Sequence, residues 1–407
     1  MFRSKSFYSL PSLLIFFGFF PYVTLYSFGT DIQPWYLLCL MILFLLIINV
    51  NKVNNLIAPL LIVPVIAFML LLLSGDYLTF IRSIAGYITI ALTPIVFLYI
   101  LTYKYPFFVA ILKLAVVVYS IVGLIQLFIF PEFFEFLMPR FSTSVTRGVV
   151  SLAVEPANYG LVCLFMILIF NTLDIKNKNI YILALLFQIL FLSQSSMVIL
   201  FLMIFSILFS ILFLFKFSRN MPLLTVFLIL FFIFLSYIEL GNYSIRSITI
   251  AKLFIESPLE LLALDQSIND RVSAIYFSFK GFFDNYLMPN GFGTYSNFLT
   301  NEVSQQDTFI WTTYSNRIMS YYGSILYELG IFGLIIPVVY SWIIYMRFKY
   351  SLKRVIIYLV FINGILLSAI PLTFPFVGIY MAVLLYTANF KFKKNRIIGQ
   401  KGEAYCF

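Results

Sequence analysis

Apolar stretches of about 20 residues recur along this chain from one end to the other, and that length at 1.5 Å rise per residue covers a hydrocarbon core of roughly 30 Å. Inside lipid the backbone has no water to bond, so a chain patterned this way satisfies its N–H and C=O groups within helices. The pattern predicts helices at 7–27, 35–50, 56–74, 80–101, 107–130, 152–171, 180–194, 196–216, 222–238, 318–346, 355–370 and 372–390. The expected fold class is therefore all-α and polytopic: one integral membrane domain over residues 1–407, with about twelve transmembrane helices. Only 10% of the 407 residues are charged and the mean hydropathy is +1.03, against roughly 25% charged in soluble domains. Arg3 and Lys5 precede the first apolar stretch as they would in a secretory signal, but no small-residue cleavage site follows it, so it reads as the first span.

Lysine and arginine fix the expected orientation. Assigned to alternate sides of the spans, 18 fall on one side and 8 on the other, which places both termini in the cytoplasm. The net charge of +10 is thereby a matter of topology and calls for no nucleic acid partner. The basic run Lys391–Arg396 reads as a headgroup anchor. Of 16 carboxylates only Asp174 and Glu403 fall on the cytoplasmic side, so mixed charge concentrates outside. Two long loops lie there as well, 131–151 and 239–317, the second between the ninth and tenth helices and rich enough in apolar residues to be ordered.

Histidine is absent, which removes Ser/His/Asp triads, Cys/His dyads and most zinc or haem ligation. Cys39, Cys163 and Cys406 form neither a disulfide framework nor a metal site. No cofactor and no metal is expected.

Three segments on the outer side combine charge with special backbone. The first, Arg147 through Glu155-Pro156-Ala157-Asn158-Tyr159-Gly160, enters the sixth helix. Pro156 suits a first helical turn and the helix dipole stabilises a carboxylate at Glu155, so a plain N-terminal cap is an equally good reading. The second begins at Asn269-Asp270-Arg271, reads as caps opening an amphipathic helix on the outer leaflet, and runs on to Pro289-Asn290-Gly291-Phe292-Gly293-Thr294-Tyr295. Its glycines permit close backbone approach to a ligand, although such dipeptides mark structural turns generally. The third places Glu328 about three turns into the tenth helix, where a carboxylate at membrane depth needs a partner. Arg82, just inside the fourth helix, carries the same cost and is a candidate for that partner, and a structural hydrogen bond is as good a reading as a functional group.

These segments, in this order and on one side, resemble bacterial O-antigen polymerases of the Wzy type, within the O-antigen polymerase and ligase superfamily. The shared elements are Arg147 through Glu155-Pro156, Arg271 through Gly291-Phe-Gly293-Thr-Tyr295, and Glu328-Leu-Gly-Ile-Phe-Gly333. Ala157 stands where the family often has serine. The histidine that ligases of the superfamily carry before the last Glu helix is replaced by Ser315-Asn316-Arg317. The resemblance implies a GT-C-like bundle in the bacterial inner membrane, joining undecaprenyl-diphosphate-linked oligosaccharides at its outer face, with a chain-length regulator as partner. It implies Arg147 and Arg271 on diphosphate oxygens and Glu155 as base for the acceptor hydroxyl. Arg82, Arg140, Asn158, Tyr159, Gly291, Gly293, Tyr295, Arg317 and Glu328 would contact substrate. Bidentate guanidinium groups suit diphosphate better than lysine does, and a diphosphate leaves readily without a metal. A lipid-linked oligosaccharide flippase and an O-antigen ligase are the competing readings.

Overall fold

The computed structural model describes residues 6–24, 33–49, 53–74, 77–141, 148–213, 257, 266–305, 318–368 and 370–403, and among them every regular element is a helix. The expected ninth span (222–238), Arg147 and Arg317 lie outside the described residues. The helices are α1 (Ser6–Phe19), α2 (Pro34–Ile48), α3 (Ile62–Ser74, entered through a 3-10 turn Ala58–Leu61), α4 (Tyr77–Phe128), α5 (Pro156–Thr172), α6 (Lys178–Phe187), α7 (Ser196–Phe213), α8 (Gln266–Asp284), α9 (Tyr295–Gln305), α10 (Tyr321–Leu329), α11 (Ile335–Phe348), α12 (Leu352–Leu367) and α13 (Pro375–Glu403). Two stretches, Ser83–Phe128 and Tyr321–Phe348, are long and apolar enough to cross a membrane, and the remaining apolar helices are shorter.

Local sequence explains the breaks. In α4 the backbone leaves helical geometry at Lys104 (φ −133°, ψ 28°), two residues before Pro106, whose ring and missing N–H disrupt the preceding turn. The chain reverses there. Phe97 and Phe108 meet with ring centroids 6.3 Å apart, although the same two residues in a straight helix would stand about 16 Å apart along the axis. The expected fourth and fifth helices are thus the two arms of this hairpin. After α6 the chain continues as a π-helical turn, Gln188–Ser193, and is stopped by Gln194 in the left-handed region (φ 46°), within the Ser193–Ser196 turn expected from sequence. The tenth helix departs from expectation. It breaks at Gly330 (φ 58°, ψ −141°), passes through a 3-10 stretch and resumes as α11, so Glu328 sits in the last turn of α10 rather than mid-helix.

Contacts sort the helix ends into two groups. At one end Phe20 stacks on Tyr119 (5.4 Å), which stacks on Tyr159 (5.7 Å), the Thr24 N–H donates to the Leu137 carbonyl (2.7 Å) and the Tyr321 N–H to that of Ser368 (3.2 Å). At the other, Phe170 stacks on Tyr181 (5.2 Å), Tyr105 on Tyr386 (5.8 Å) and Phe348 on Tyr358 (4.1 Å), while Asn171 donates to the Tyr358 hydroxyl (3.0 Å). The first set comprises residues that charge counting places outside, the second those it places inside. Leu45, Val65, Leu73, Phe128, Leu183 and Val338 are each more than half exposed, leaving the bundle apolar outward as well as inward.

Of the second long loop, α8 is the expected amphipathic helix, with two corrections. It begins at Gln266, so Asn269 and Asp270 are buried inside its first turns rather than capping it. Second, part of its apolar face packs against α10, while Tyr276 and Phe283 stay exposed. A side-chain carbon at Gly323 would stand 2.3 Å from the Ser278 hydroxyl, and one at Gly281 2.5 Å from the Tyr327 ring, so small residues let α8 and α10 approach closely. α9, which the sequence did not suggest, is tied to α8 by an ion pair between Lys280 and Glu302. Phe277, Tyr295, Leu299 and Tyr327 form a small separate core among α8, α9 and α10.

Candidate functional site

Pro156 opens α5 as expected, because its missing N–H is one the first turn leaves unbonded anyway. Glu155 occupies the N-cap with extended backbone (φ −148°, ψ 154°), and its carbonyl accepts from the Tyr159 N–H (3.1 Å) to start the helix. Its side chain does not cap. The carboxylate turns instead to Arg140, with Nη2 2.8 Å from Oε1 and both side chains partly exposed (37% for Arg140, 24% for Glu155). The capping reading of Glu155 is therefore replaced by an ion pair at the open end of the bundle. Arg140 comes from the 131–141 segment, whose turn is secured at Leu137 by Thr24 and at Phe133 by Gln126.

Beneath the pair lies a buried polar network. The Gln126 side-chain amide donates to the Phe133 and Ser151 carbonyls (2.9 and 3.0 Å), and its oxygen accepts from the Ser151 N–H (2.7 Å). Ser151, at φ 52°, donates its hydroxyl to the Tyr119 carbonyl (2.8 Å). Gln188 accepts from the Tyr159 hydroxyl (2.9 Å) and donates to Ser120 (2.7 Å). One glutamine, Gln126, thus clamps both segments that carry Arg140 and Glu155. Of the residues expected at substrate, Tyr159 is wholly buried with its hydroxyl engaged by Gln188, and Asn158 is buried beside it. Sequence reading missed Gln126 and Gln188, although a glutamine inside an apolar helix is itself a signal.

A second cluster forms around Glu328. The wholly buried Tyr87 of α4 donates its hydroxyl to Glu328 Oε2 at 2.6 Å, and its ring faces Phe292 (6.2 Å). The backbone of Arg82, the partner considered from sequence, lies one and a half turns earlier in α4, and its side chain lies outside the described residues. The turn Pro289–Tyr295 is docked on the same helix end. The Asn290 and Gly291 N–H groups donate to the carbonyls of Tyr327 (3.0 Å) and Glu328 (3.2 Å), and the Ile331 N–H to that of Leu287 (2.8 Å). These bonds satisfy carbonyls that the break at Gly330 leaves open. A side-chain carbon at Gly330 would stand 2.4 Å from the Pro289 nitrogen, whereas at Gly291 (φ 76°) it would meet nothing within 4 Å. The Gly291 amide is spent on Glu328, so it is not a free phosphate donor. Its outer face is open, and Gly293 (φ 74°) is exposed. Tyr295, also expected at substrate, is 6% exposed and packs the turn with its ring edge-on to Tyr327 (5.2 Å), and burial pushes its hydroxyl up. Lys280, bonded to Glu302, is held above the ordinary lysine value.

Arg271 lies half-buried in the second turn of α8. The structure thus brings Arg140 to Glu155 and the glycine turn to Glu328. The link between 368 and 375 connects the two clusters: Gly86, next to Tyr87, abuts Leu372, and Phe374 packs on Phe165 of α5 (5.7 Å) and on Tyr22 (6.4 Å). Comparison with protein-family models and with curated proteins returns no match, so the functional reading rests on these residues and their geometry.

Proposed function

We propose that this chain is a multi-pass protein of the bacterial inner membrane, with about twelve spans and both termini in the cytoplasm, that polymerises surface polysaccharide. It is a GT-C-like glycosyltransferase joining undecaprenyl-diphosphate-linked repeat units at the outer face, in concert with a chain-length regulator. The observation that supports this reading is the Arg140–Glu155 pair: a carboxylate at a helix start that does not cap its helix and stands partly exposed beside a guanidinium.

In the proposed reaction the acceptor sugar hydroxyl gives its proton to Glu155 as its oxygen attacks the anomeric carbon of the donor. The bond from that carbon to the diphosphate breaks, and the lipid diphosphate leaves with the electron pair. Arg140, Arg147 and Arg271 supply guanidinium groups for its oxygens, which gain charge as the bond breaks. Exchange of Arg140 from Glu155 to diphosphate would free the carboxylate as substrate arrives.

The test is polysaccharide length in cells carrying Glu155→Gln, Arg147→Ala or Arg271→Ala at normal protein level. The expected product is a single repeat unit on the lipid core. Undiminished long chains in all three variants refute the assignment; polymer retained on its carrier indicates a ligase, and units trapped in the inner leaflet a flippase.

A further inference from the structure

The end of the bundle opposite Glu155 holds a concentration of positive charge. Between Glu328 and Glu403 the sequence contains no acidic residue, yet the turn from α11 to α12 carries Arg347, Lys349, Lys353 and Arg354 within eight residues. Arg347 is half-buried, its guanidinium 5.2 Å from the Phe348 ring, and Arg354, Tyr358 and Tyr380 stand within electrostatic range of it. Two donors in this group are buried without a hydrogen-bond partner, Arg347 Nε and the Tyr380 hydroxyl. Thr172, whose own proton goes to the Leu168 carbonyl (2.8 Å), stands beside that hydroxyl with an oxygen that can accept from it. The Tyr358 hydroxyl is already engaged by Asn171 of α5 (3.0 Å). Asp174, exposed beyond the end of α5, acts electrostatically on Tyr105.

Burying a guanidinium nitrogen without an acceptor costs free energy, and two neighbouring arginines repel. A single group reverses all of these at once: a phosphate, whose oxygens accept from Arg347 and Tyr380 while its charge offsets both arginines. Its source is legible from the surroundings. Trp342 and Tyr345, ring to ring at 5.6 Å, and Val338, Leu352, Ile356 and Val360 form an exposed apolar and aromatic flank on α11 and α12, as at a lipid headgroup boundary. We propose that Arg347, Arg354 and Tyr380 form a binding site for the phosphate of an anionic glycerophospholipid at this end of the bundle. The site rests on the membrane reading above and is independent of the transferase reading.

The experiment uses the full-length protein reconstituted in phosphatidylcholine nanodiscs, alone, with phosphatidylglycerol, or with inorganic phosphate in solution. Phosphatidylglycerol is expected to raise the unfolding temperature of the wild type and to be retained in native mass spectra, with inorganic phosphate giving neither effect. Arg347→Gln is expected to abolish the response. Tyr380→Phe keeps the ring and packing, so it folds, and is expected to weaken phosphatidylglycerol about tenfold, the worth of one charge-assisted hydrogen bond. A purely structural tyrosine predicts instead no change in lipid response, with equal or higher lipid-free stability on loss of its unbonded hydroxyl. No response in the wild type, an unaltered response in both variants, or an equal response to inorganic phosphate overturns the lipid site. Failure to insert into phosphatidylcholine alone overturns the membrane reading on which it rests.

Discussion

The hydrogen bond from Tyr87 to Glu328 joins residues 241 apart in sequence, and its removal is the sharpest test of how the helices are arranged. Tyr87→Phe deletes one oxygen and leaves the ring in place, so the cost of a cavity is negligible and the loss measures the bond. At 2.6 Å, between a buried phenol and a carboxylate, the contact belongs with hydrogen bonds to charged groups, worth about 1.5–3 kcal/mol. That is a factor of roughly ten to more than a hundred in the folded-to-unfolded ratio. Glu328→Gln keeps an acceptor oxygen in the same place but removes the charge, so it is expected to cost about 1 kcal/mol or less, near the average for neutral bonds between membrane helices. The coupling in the double-mutant cycle should then be at least about 1 kcal/mol, because Tyr87→Phe has little left to remove once the carboxylate is gone. The assay is equilibrium unfolding of purified protein in mixed micelles, followed by helical circular dichroism. A Tyr87→Phe variant within about 0.3 kcal/mol of wild type, with no coupling, refutes the contact and with it the register of α4 against α10.

The glycine turn and the glutamine clamp supply two further tests. Gly330→Ala meets the Pro289 backbone at a φ that only glycine adopts readily, so it is expected to destabilise by about 3 kcal/mol, whereas Gly291→Ala faces open space and should cost about 1 kcal/mol. Thermal melts of the two variants measure the difference, and polymer length in Gly291→Ala cells reads whether that open face meets substrate. Gln126→Ala strips the Ser151 N–H and two carbonyls of their partner and is expected to cost about 2–4 kcal/mol, with loss of activity, as the segments bearing Arg140 and Glu155 come loose. Limited proteolysis at 131–155 would register that loosening; an unchanged cleavage pattern would show that the clamp does not hold them.

Most of the helix positions are legible in the sequence because an apolar run closed by proline or a polar turn has few alternative structures. Pro156 starts α5 and Ser193–Ser196 ends the π-helical turn where the residues alone place them. The break at Gly330 is not legible, since glycine occurs within membrane helices as well as at their ends; what forces it is the 287–291 turn arriving from another part of the chain. α9 escapes notice because its apolar positions are few and face only a four-residue core. Tyr87 carries no mark that distinguishes it among 28 tyrosines. Gln126 and Gln188 do carry a mark, an amide amid aliphatic residues, and an amide so placed must find bonding partners within the bundle, which is how the support beneath Glu155 could be found from the residues alone.

The two carboxylates that sequence placed on one footing are separated by their surroundings. Glu328 spends its carbonyl on Gly291 and its side chain on a fully buried tyrosine, so any substrate reaching it must first undo the contact between α4 and α10. Glu155 is partly exposed, and its charged partner among the described residues is a partly exposed arginine in a pair worth only about 0–1 kcal/mol. A group that must exchange its partner for substrate at every turnover needs that weak, reachable kind of pairing. The consequence is an opposite order of effects: replacing Glu328 should lower stability before activity, while Glu155→Gln should leave melting unchanged and still stop chain growth. If both variants instead lose stability in step with activity, the carboxylates act alike as packing elements, and the proton acceptor must be sought elsewhere on that face.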